Sequence, residues 1–522
     1  MTNEFSTRDN RVVMKIAIGS RLLLLTLIVF WRSLVSPYDT SASINPSCLS
    51  SPNNQSYIVK FPYIASVIED SIVWDGVYYV RTAQCGYEYE QSYAFWPLLP
   101  FCIFVLSKSV FAPLVPLVGY RAVLGLSGYV LNNMAFVFAA TYFHRLSVIV
   151  LKDKVAAMRA STLFCFNPAS IFFSSIYSES LYALLSIGGL CHLMSGAKNL
   201  STLWLALSVL ARSNGVLNAG YIGFQMMHQA YDAAFYKKRF YLAVQILLAG
   251  AFRCLCICLP LFIFQAYGYF NICHGRSADE QRPWCKNRVP MVYNFIQSYY
   301  WGVGFLKYFK VKQLPNFLLA APILSLALAS IIYYVKLRYV IFITLGFRGF
   351  KAPPVDKSSS PFQLYSELDT LSRNSNITSG NTSKITQGND RKHPKVAIND
   401  GQYRKIDSLE NQTLRWRRPA VRENDLSKLP SEYRSLDKEE YLTLTLLPFV
   451  LHLGFMAGVA FLVMHVQVAT RFLSANPPLY WFATSLPALS KNGKRWGYLI
   501  WAYCAAYILL GSLLFSNFYP FT

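Results

Sequence analysis

Long apolar runs recur along this chain, beginning with Ile16 to Val35, and they constrain its fold more than any other feature. Runs of about 18 residues or more match the length needed to cross a hydrocarbon core of roughly 30 Å. Of 522 residues, 54% are hydrophobic and 14% charged, which is too apolar for a set of soluble domains of this total length. Lipid admits helices or closed barrels, and the strict alternation of a membrane barrel is absent. The expected fold is an all-α polytopic membrane protein. The net charge of +23 does not imply nucleic acid as a partner, because the basic residues sit in loops between apolar runs, where they orient spans.

Charge asymmetry divides the chain. Residues 1–15 read as a cytoplasmic N-terminus and 16–35 as a first transmembrane helix, a retained anchor preceded by Arg8, Arg11 and Lys15. From Pro37 to Tyr93 the only basic residues are Lys60 and Arg81, against Asp39, Glu69, Asp70, Asp75, Glu88 and Glu90. Poverty in Lys and Arg places this loop on the luminal side, and the Asn54-Gln55-Ser56 glycosylation triplet agrees. Residues 36–117 form the first luminal loop. It includes an apolar stretch broken by Pro97, Pro100 and Pro113 that reads as re-entrant. Residues 118–335 hold further helices and a luminal loop at 270–300. Residues 336–440, with nineteen Lys/Arg against thirteen Asp/Glu, read as a cytoplasmic, largely disordered loop. That basic excess outweighs the triplets at Asn376, Asn381 and Asn411. Residues 441–522 hold the C-terminal helices. The total is about eleven spans.

The eleven cysteines follow no metal-ligand spacing, and no dense acidic motif suggests a divalent metal. Cys254, Cys256 and Cys258 read as packing residues. Cys273 and Cys285 flank a polar loop and would pair if it faces an oxidising compartment.

Ionisable groups inside or beside apolar runs are costly, so each is a functional hypothesis. Four clusters stand out. The first is Trp74-Asp75-Gly76, with Glu69 and Asp70 upstream; its plain reading is turn chemistry. The second, "FNPASIFFSSIYSES", ends in Glu179, whose plain reading is an interfacial carboxylate. The third contains Arg212 and Asn214 in "ARSNG", where an arginine at a span end can simply snorkel. The fourth, "MHVQVATRFLSANPPLYWF", holds His465, Gln467 and Arg471, with Gln467 and Arg471 spaced to share a helical face. All four fall near one membrane face in the topology above. A carboxylate there can take a proton from an attacking hydroxyl, and arginines can hold a leaving phosphate. Aromatic faces suit sugar rings. The combination fits metal-independent transfer from a lipid-phosphate-linked sugar.

These segments, with "WDGVYYVRTAQCGYEYEQSYAFWPLLP" and "VPMVYNFIQSYYWGVGFLKYFKVKQLPNFLLAAP", resemble the phosphatidylinositol-glycan class V family, the GPI mannosyltransferases that add the second mannose. The likeness runs from about residue 70 to residue 482 and leaves the 336–440 loop without a role. It implies a GT-C type glycosyltransferase of the endoplasmic reticulum membrane with a luminal active site. Such an enzyme would use dolichyl-phosphate-mannose as donor and a GPI precursor lipid as acceptor, form an α-1,6 link and need no cofactor. Asp75, in the family's Trp-Asp motif, is then the catalytic carboxylate. The resemblance assigns no accessory subunit. The alternatives are a GT-C enzyme of another lipid-linked step and a polytopic lipid or sugar transporter; the lack of a visible internal repeat counts against the transporter.

Overall fold

Among the described residues the chain is helical without a β-strand. The computed structural model describes residues 2–38, 59–275, 281–337, 339–347, 431–489, 493–519 and 521. Asn54, Asn376, Asn381, Asn411 and most of the 336–440 loop lie outside them. Met1–Phe362 and Tyr441–Thr522 form one compact unit. Of a second unit, Gln363–Glu440, only the start of one helix is described.

The helices in chain order are α1 (Thr2–Leu34), α2 (Pro62–Asp70), α3 (Asp75–Cys85), α4 (Leu98–Lys108), α5 (Val115–Val118) and α6 (Tyr120–Leu151). Then come α7 (Lys154–Cys165), α8 (Ser170–Ser174), α9 (Glu179–Met194), α10 (Lys198–Ala211), α11 (Ala219–Tyr231) and α12 (Phe240–Cys273). The remainder are α13 (Val292–Tyr299), α14 (Leu314–Leu337), α15 (Tyr339–Ile343), α16 (Ser431–Leu462), α17 (Ala469–Leu473), α18 (Pro477–Leu489) and α19 (Gly493–Ser516).

Among the described residues, six helices are long and apolar enough to cross a membrane, or seven when a bent pair counts as one span. That pair is Leu98–Lys108 with Ala112–Val118, bent by 66°, in the proline-broken stretch read as re-entrant. Sequence reading expects about eleven spans. The difference lies in α7, α9, α10 and α11, which have 12, 16, 14 and 13 residues. At 1.5 Å per residue they reach only about 18–24 Å, short of the roughly 30 Å core.

Local chemistry sets these breaks. Asp153 caps α7 by accepting the Val155 and Ala156 amides at 2.8 and 3.1 Å. Asn167 ends the same helix: its Oδ1 accepts from the Ala169 amide and its Nδ2 donates to the Phe164 carbonyl, both at 2.8 Å. Pro168 cannot continue a helical ladder. The turn between α10 and α11 depends on close approach. A Cβ on Gly215 would sit 2.7 Å from the backbone of Ser208.

Arg21, inside the first apolar run, is buried. It reaches from α1 across the α7–α8 break, donating to the carbonyls of Cys165 and Ser170 at 3.0 Å each and to the Ser174 hydroxyl at 3.0 Å. One guanidinium thereby satisfies the carbonyls freed by the broken helix. An apolar cluster fixes α3: Val77, Tyr79 and Val80 pack with Leu99 and Ile103 of α4, Leu124 of α6, and Ile176, Leu181 and Tyr182.

Candidate active site

Four charged side chains, far apart in sequence, meet at the start of α3. Trp74 has φ +53°, a left-handed conformation that a bulky residue adopts only when its surroundings hold it there. Its indole N–H donates to the Phe515 carbonyl at 3.0 Å. Asp75 follows as the first residue of α3. Its amide donates to the Tyr177 hydroxyl at 3.2 Å, and its side chain is 35% exposed.

Arg471, on α17, donates through Nη1 to Asp75 Oδ2 at 3.1 Å. Its Nε lies 3.9 Å from Glu179 Oε1, and its guanidinium sits 5.4 Å from the ring centroids of both Phe172 and Tyr177. Glu179 opens α9 and is 3% exposed; its Oε1 pairs with Arg212 Nη1 at 2.6 Å. The order Asp75, Arg471, Glu179, Arg212 alternates in sign and is neutral overall. Alternation lowers the cost of holding charge in a dry setting, provided both partners stay. Glu179 Oε2 and Arg471 Nε have no hydrogen-bond partner among the described residues. The cluster thus keeps one acceptor and one donor unspent.

Beside Arg212, the Ser213 hydroxyl donates to the Tyr293 hydroxyl at 2.9 Å, tying the turn to α13. Asn214 contributes a buried side-chain carbonyl oxygen that has no partner among the described residues. Tyr78, one turn beyond Asp75, opens a cavity of about 210 Å³. Arg81, Thr82, Glu88, Tyr89 and Gln91 also line it. Arg81 pairs with Glu88 at 3.0 Å and donates to the Tyr89 hydroxyl at 2.8 Å. Cys85, at the end of α3, is disulfide-bonded.

Cys273 and Cys285 form a disulfide with their Cα atoms 5.7 Å apart. The loop it closes carries Arg282 and Trp284, which join Tyr300 around Glu90. Glu90 accepts from Arg282 at 2.7 Å, Trp284 Nε1 at 2.6 Å and the Tyr300 hydroxyl at 2.8 Å. Burial by itself pushes the Glu90 carboxyl up, but these three donors outweigh it and leave the group below its ordinary value.

Two expectations need correction. Gln467 and Arg471 do not share a helical face. Val466–Val468 is a 3₁₀ turn and α17 begins only at Ala469, so the four-residue spacing does not bring them together. Gln467 accepts from the Tyr308 hydroxyl, which also accepts from Asn316 at 2.7 Å. His465 Nε2 lies 2.6 Å from the Trp301 carbonyl, and its ring stacks on Tyr308 at 4.6 Å. These two residues organise the 301–316 segment. Nor do Glu69 and Asp70 join the cluster. Asp70 accepts from Ser66 at 3.0 Å on exposed α2. Burial raises the Glu69 carboxyl, with Arg121 opposing.

Sequence reading missed Tyr177, which braces Asp75, and Arg21, which braces the α7–α8 break below it. Arg21 was signalled by its position inside an apolar run. Tyr177 carried no signal beyond its place two residues before Glu179. Among the described residues, no three His, Cys, Asp or Glu side chains group as metal ligands; the two carboxylates of the cluster face arginines.

The chain matches the family model described as Mannosyltransferase (PIG-V) over residues 9–522. It is 30% identical over 374 residues to GPI alpha-1,6-mannosyltransferase 2 of Homo sapiens, covering 66% of this chain and 72% of that protein. To the protein of the same name from Rattus norvegicus it is 28% identical over 363 residues, with the same coverage. To GPI mannosyltransferase 2 of Drosophila melanogaster it is 27% identical over 544 residues, covering 98% of this chain and 99% of that protein. No solved structure matches the chain. With the family model spanning nearly the whole sequence, this chain belongs to the Mannosyltransferase (PIG-V) family.

Proposed function

We propose that this protein adds the second mannose during GPI-anchor assembly. It takes mannose from dolichyl-phosphate-mannose and makes an α-1,6 link on the luminal side of the endoplasmic reticulum membrane. Family membership and the relatives' names support the reaction. The observation that carries the mechanism is the Asp75–Arg471–Glu179–Arg212 chain at the mouth of α3.

In this reading, Asp75 accepts the proton of the acceptor's hydroxyl as that oxygen attacks the anomeric carbon. The bond from that carbon to the phosphate oxygen breaks with inversion, and dolichyl phosphate leaves with the electron pair. Arg471, already 3.1 Å from Asp75, lies where a departing phosphate needs positive charge. The planar fork of its guanidinium suits phosphate oxygens. Arg212, clamped by Glu179, holds a second positive charge nearby. The cavity along α3, walled by Tyr78 and Tyr89 with Arg81 and Glu88, accommodates the acceptor glycan beyond the reacting sugar. Metal-independent transfer is expected in this reading, in which both carboxylates pair with arginine cations. Full activity in excess chelator, measured with purified protein, is the expected outcome.

The test is Asp75→Asn in cells lacking their own enzyme. Transfer should fall by about 10²–10⁴ at normal protein abundance. Restored surface GPI-anchored proteins would rule out Asp75 as base. Purified protein given dolichyl-phosphate-mannose and a one-mannose GPI lipid separates the alternatives. A transporter forms no glycosidic bond, and an enzyme of another step leaves this acceptor unchanged.

A further inference from the structure

The opposite end of α10 holds a second concentration of positive charge. Arg212 follows the last residue of α10; Lys198 is its first, about 20 Å away at 1.5 Å per residue. Lys198 faces a cavity of about 230 Å³ between α10, α11 and α12, which Gln225, Gln229, Gln245 and Arg253 also line. Lys198 Nζ donates to Gln229 Oε1 at 2.9 Å. Arg253 donates to Asn199 Oδ1 through Nη2 at 3.2 Å. Among the described residues, neither cation has a carboxylate partner. The mannose-transfer cluster neutralises every charge it holds; this one holds two like charges and neutralises neither.

The location makes that imbalance expensive. Arg253 lies 13 residues into α12, about 20 Å from the end that follows Lys237-Lys238-Arg239. A span needs about 20 residues, and every 20-residue window of α12 except the most C-terminal one contains Arg253. Its guanidinium donates to Asn199 at the start of α10 and, back along α12, to the Ala249 carbonyl at 3.3 Å. The same helix exposes Val244, Leu248, Phe252 and Leu255, spaced as one apolar stripe. A largely apolar cavity that carries two cations thus opens beside the apolar stripe of α12.

We propose that this cavity binds the anionic phosphate headgroup of a bilayer lipid, with its hydrocarbon tail lying along the Val244–Leu255 stripe. Arg253 supplies a planar fork for phosphate oxygens, Lys198 a point charge, and the glutamine amides further donors. A freely soluble phosphate shares the headgroup chemistry but leaves the stripe unused. This site is separate from Asp75 and does not depend on the reaction assigned there.

The experiment uses the purified full chain, titrated separately with phosphatidic acid, phosphatidylcholine and inorganic phosphate, with bound species counted by native mass spectrometry. Phosphatidic acid should bind, and Lys198→Gln or Arg253→Gln should weaken it about tenfold or more, the effect of one hydrogen bond to a charged group. Lys198→Arg and Arg253→Lys, which keep the charge, should retain most of the binding and show that the site still folds. Unchanged phosphatidic acid affinity in both glutamine variants overturns the proposal. So does equal binding of phosphatidylcholine, because the net charge is then not read. Displacement of the lipid by inorganic phosphate at similar affinity overturns the lipid assignment and leaves a soluble-anion site.

Discussion

Asp75 and Glu179 are both carboxylates beside arginines, yet their surroundings give them different work. Glu179 is 3% exposed and lies between two guanidiniums, at 2.6 and 3.9 Å. Asp75 is 35% exposed and touches one. Removing a partner from a buried pair leaves an uncompensated charge and costs about 3–5 kcal/mol. Glu179→Gln should therefore lower thermal stability and the yield of folded protein, because two arginines lose their shared carboxylate. Asp75→Asn should leave both nearly unchanged while lowering transfer by about 10²–10⁴. Melting curves of the two variants, read beside activity, separate the roles; equal destabilisation would show that Asp75 is also structural. At this scale much of the cluster was legible in the sequence. Asp75, Glu179, Arg212 and Arg471 each betray themselves by the cost of charge in an apolar setting. Gln467 misled because its spacing was credited to a helix face shared with Arg471, and His465 lies beside it. A single 3₁₀ turn at Val466–Val468 redirects them to Tyr308 and Trp301. One-dimensional spacing does not show such a turn.

Between residues and the whole stand the interrupted helices and the loop that the Cys273–Cys285 disulfide closes. The breaks were readable as Pro97, Asn167-Pro168 and "ARSNG", because proline and local Asn chemistry end helices wherever they occur. The number of crossings was not readable. Helices of 12 to 16 residues, such as α7 and α9, are too short to be counted from hydropathy. The Glu90 network was also missed, since Glu90 and Arg282 are distant in sequence and each alone resembles a solvated loop charge. Its pH behaviour follows from its donors. A carboxyl held below its ordinary value adds stability at pH above about 4.3, its unfolded value, and that stability fades as pH falls through the lower folded value. The difference in fluorescence between the native protein and Trp284→Phe isolates the Trp284 indole. That signal should hold from neutral pH down to about 4.3 and change below it. In a Glu90→Gln background it should be altered at neutral pH already. A signal that stays constant through the acid range would mean that the loop is held by the disulfide alone.

For the molecule as a whole, the decisive quantity is which compartment Asp75 faces, because the donor's sugar must reach it there. Two disulfide-bonded positions, Cys85 at the end of α3 and the Cys273–Cys285 pair, lie on segments that adjoin the Asp75 helix or the Glu90 network packed near it. Disulfides persist in oxidising compartments, so this end of the helical bundle should face the lumen. The poverty of the first loop in Lys and Arg implies the same. At the other end of α6, Asp153 caps α7 and Val155 is 59% exposed beside the basic residues Lys152 and Lys154. The prediction uses one introduced cysteine at each end, Tyr89→Cys, where the side chain is 53% exposed, and Val155→Cys. In sealed microsomes a membrane-impermeant maleimide should label Val155→Cys at once and Tyr89→Cys only after the bilayer is permeabilised. The reverse pattern would put Asp75 in the cytosol, where a luminal lipid-linked mannose cannot meet it. The catalytic reading would then fail even if the charge cluster stood as drawn.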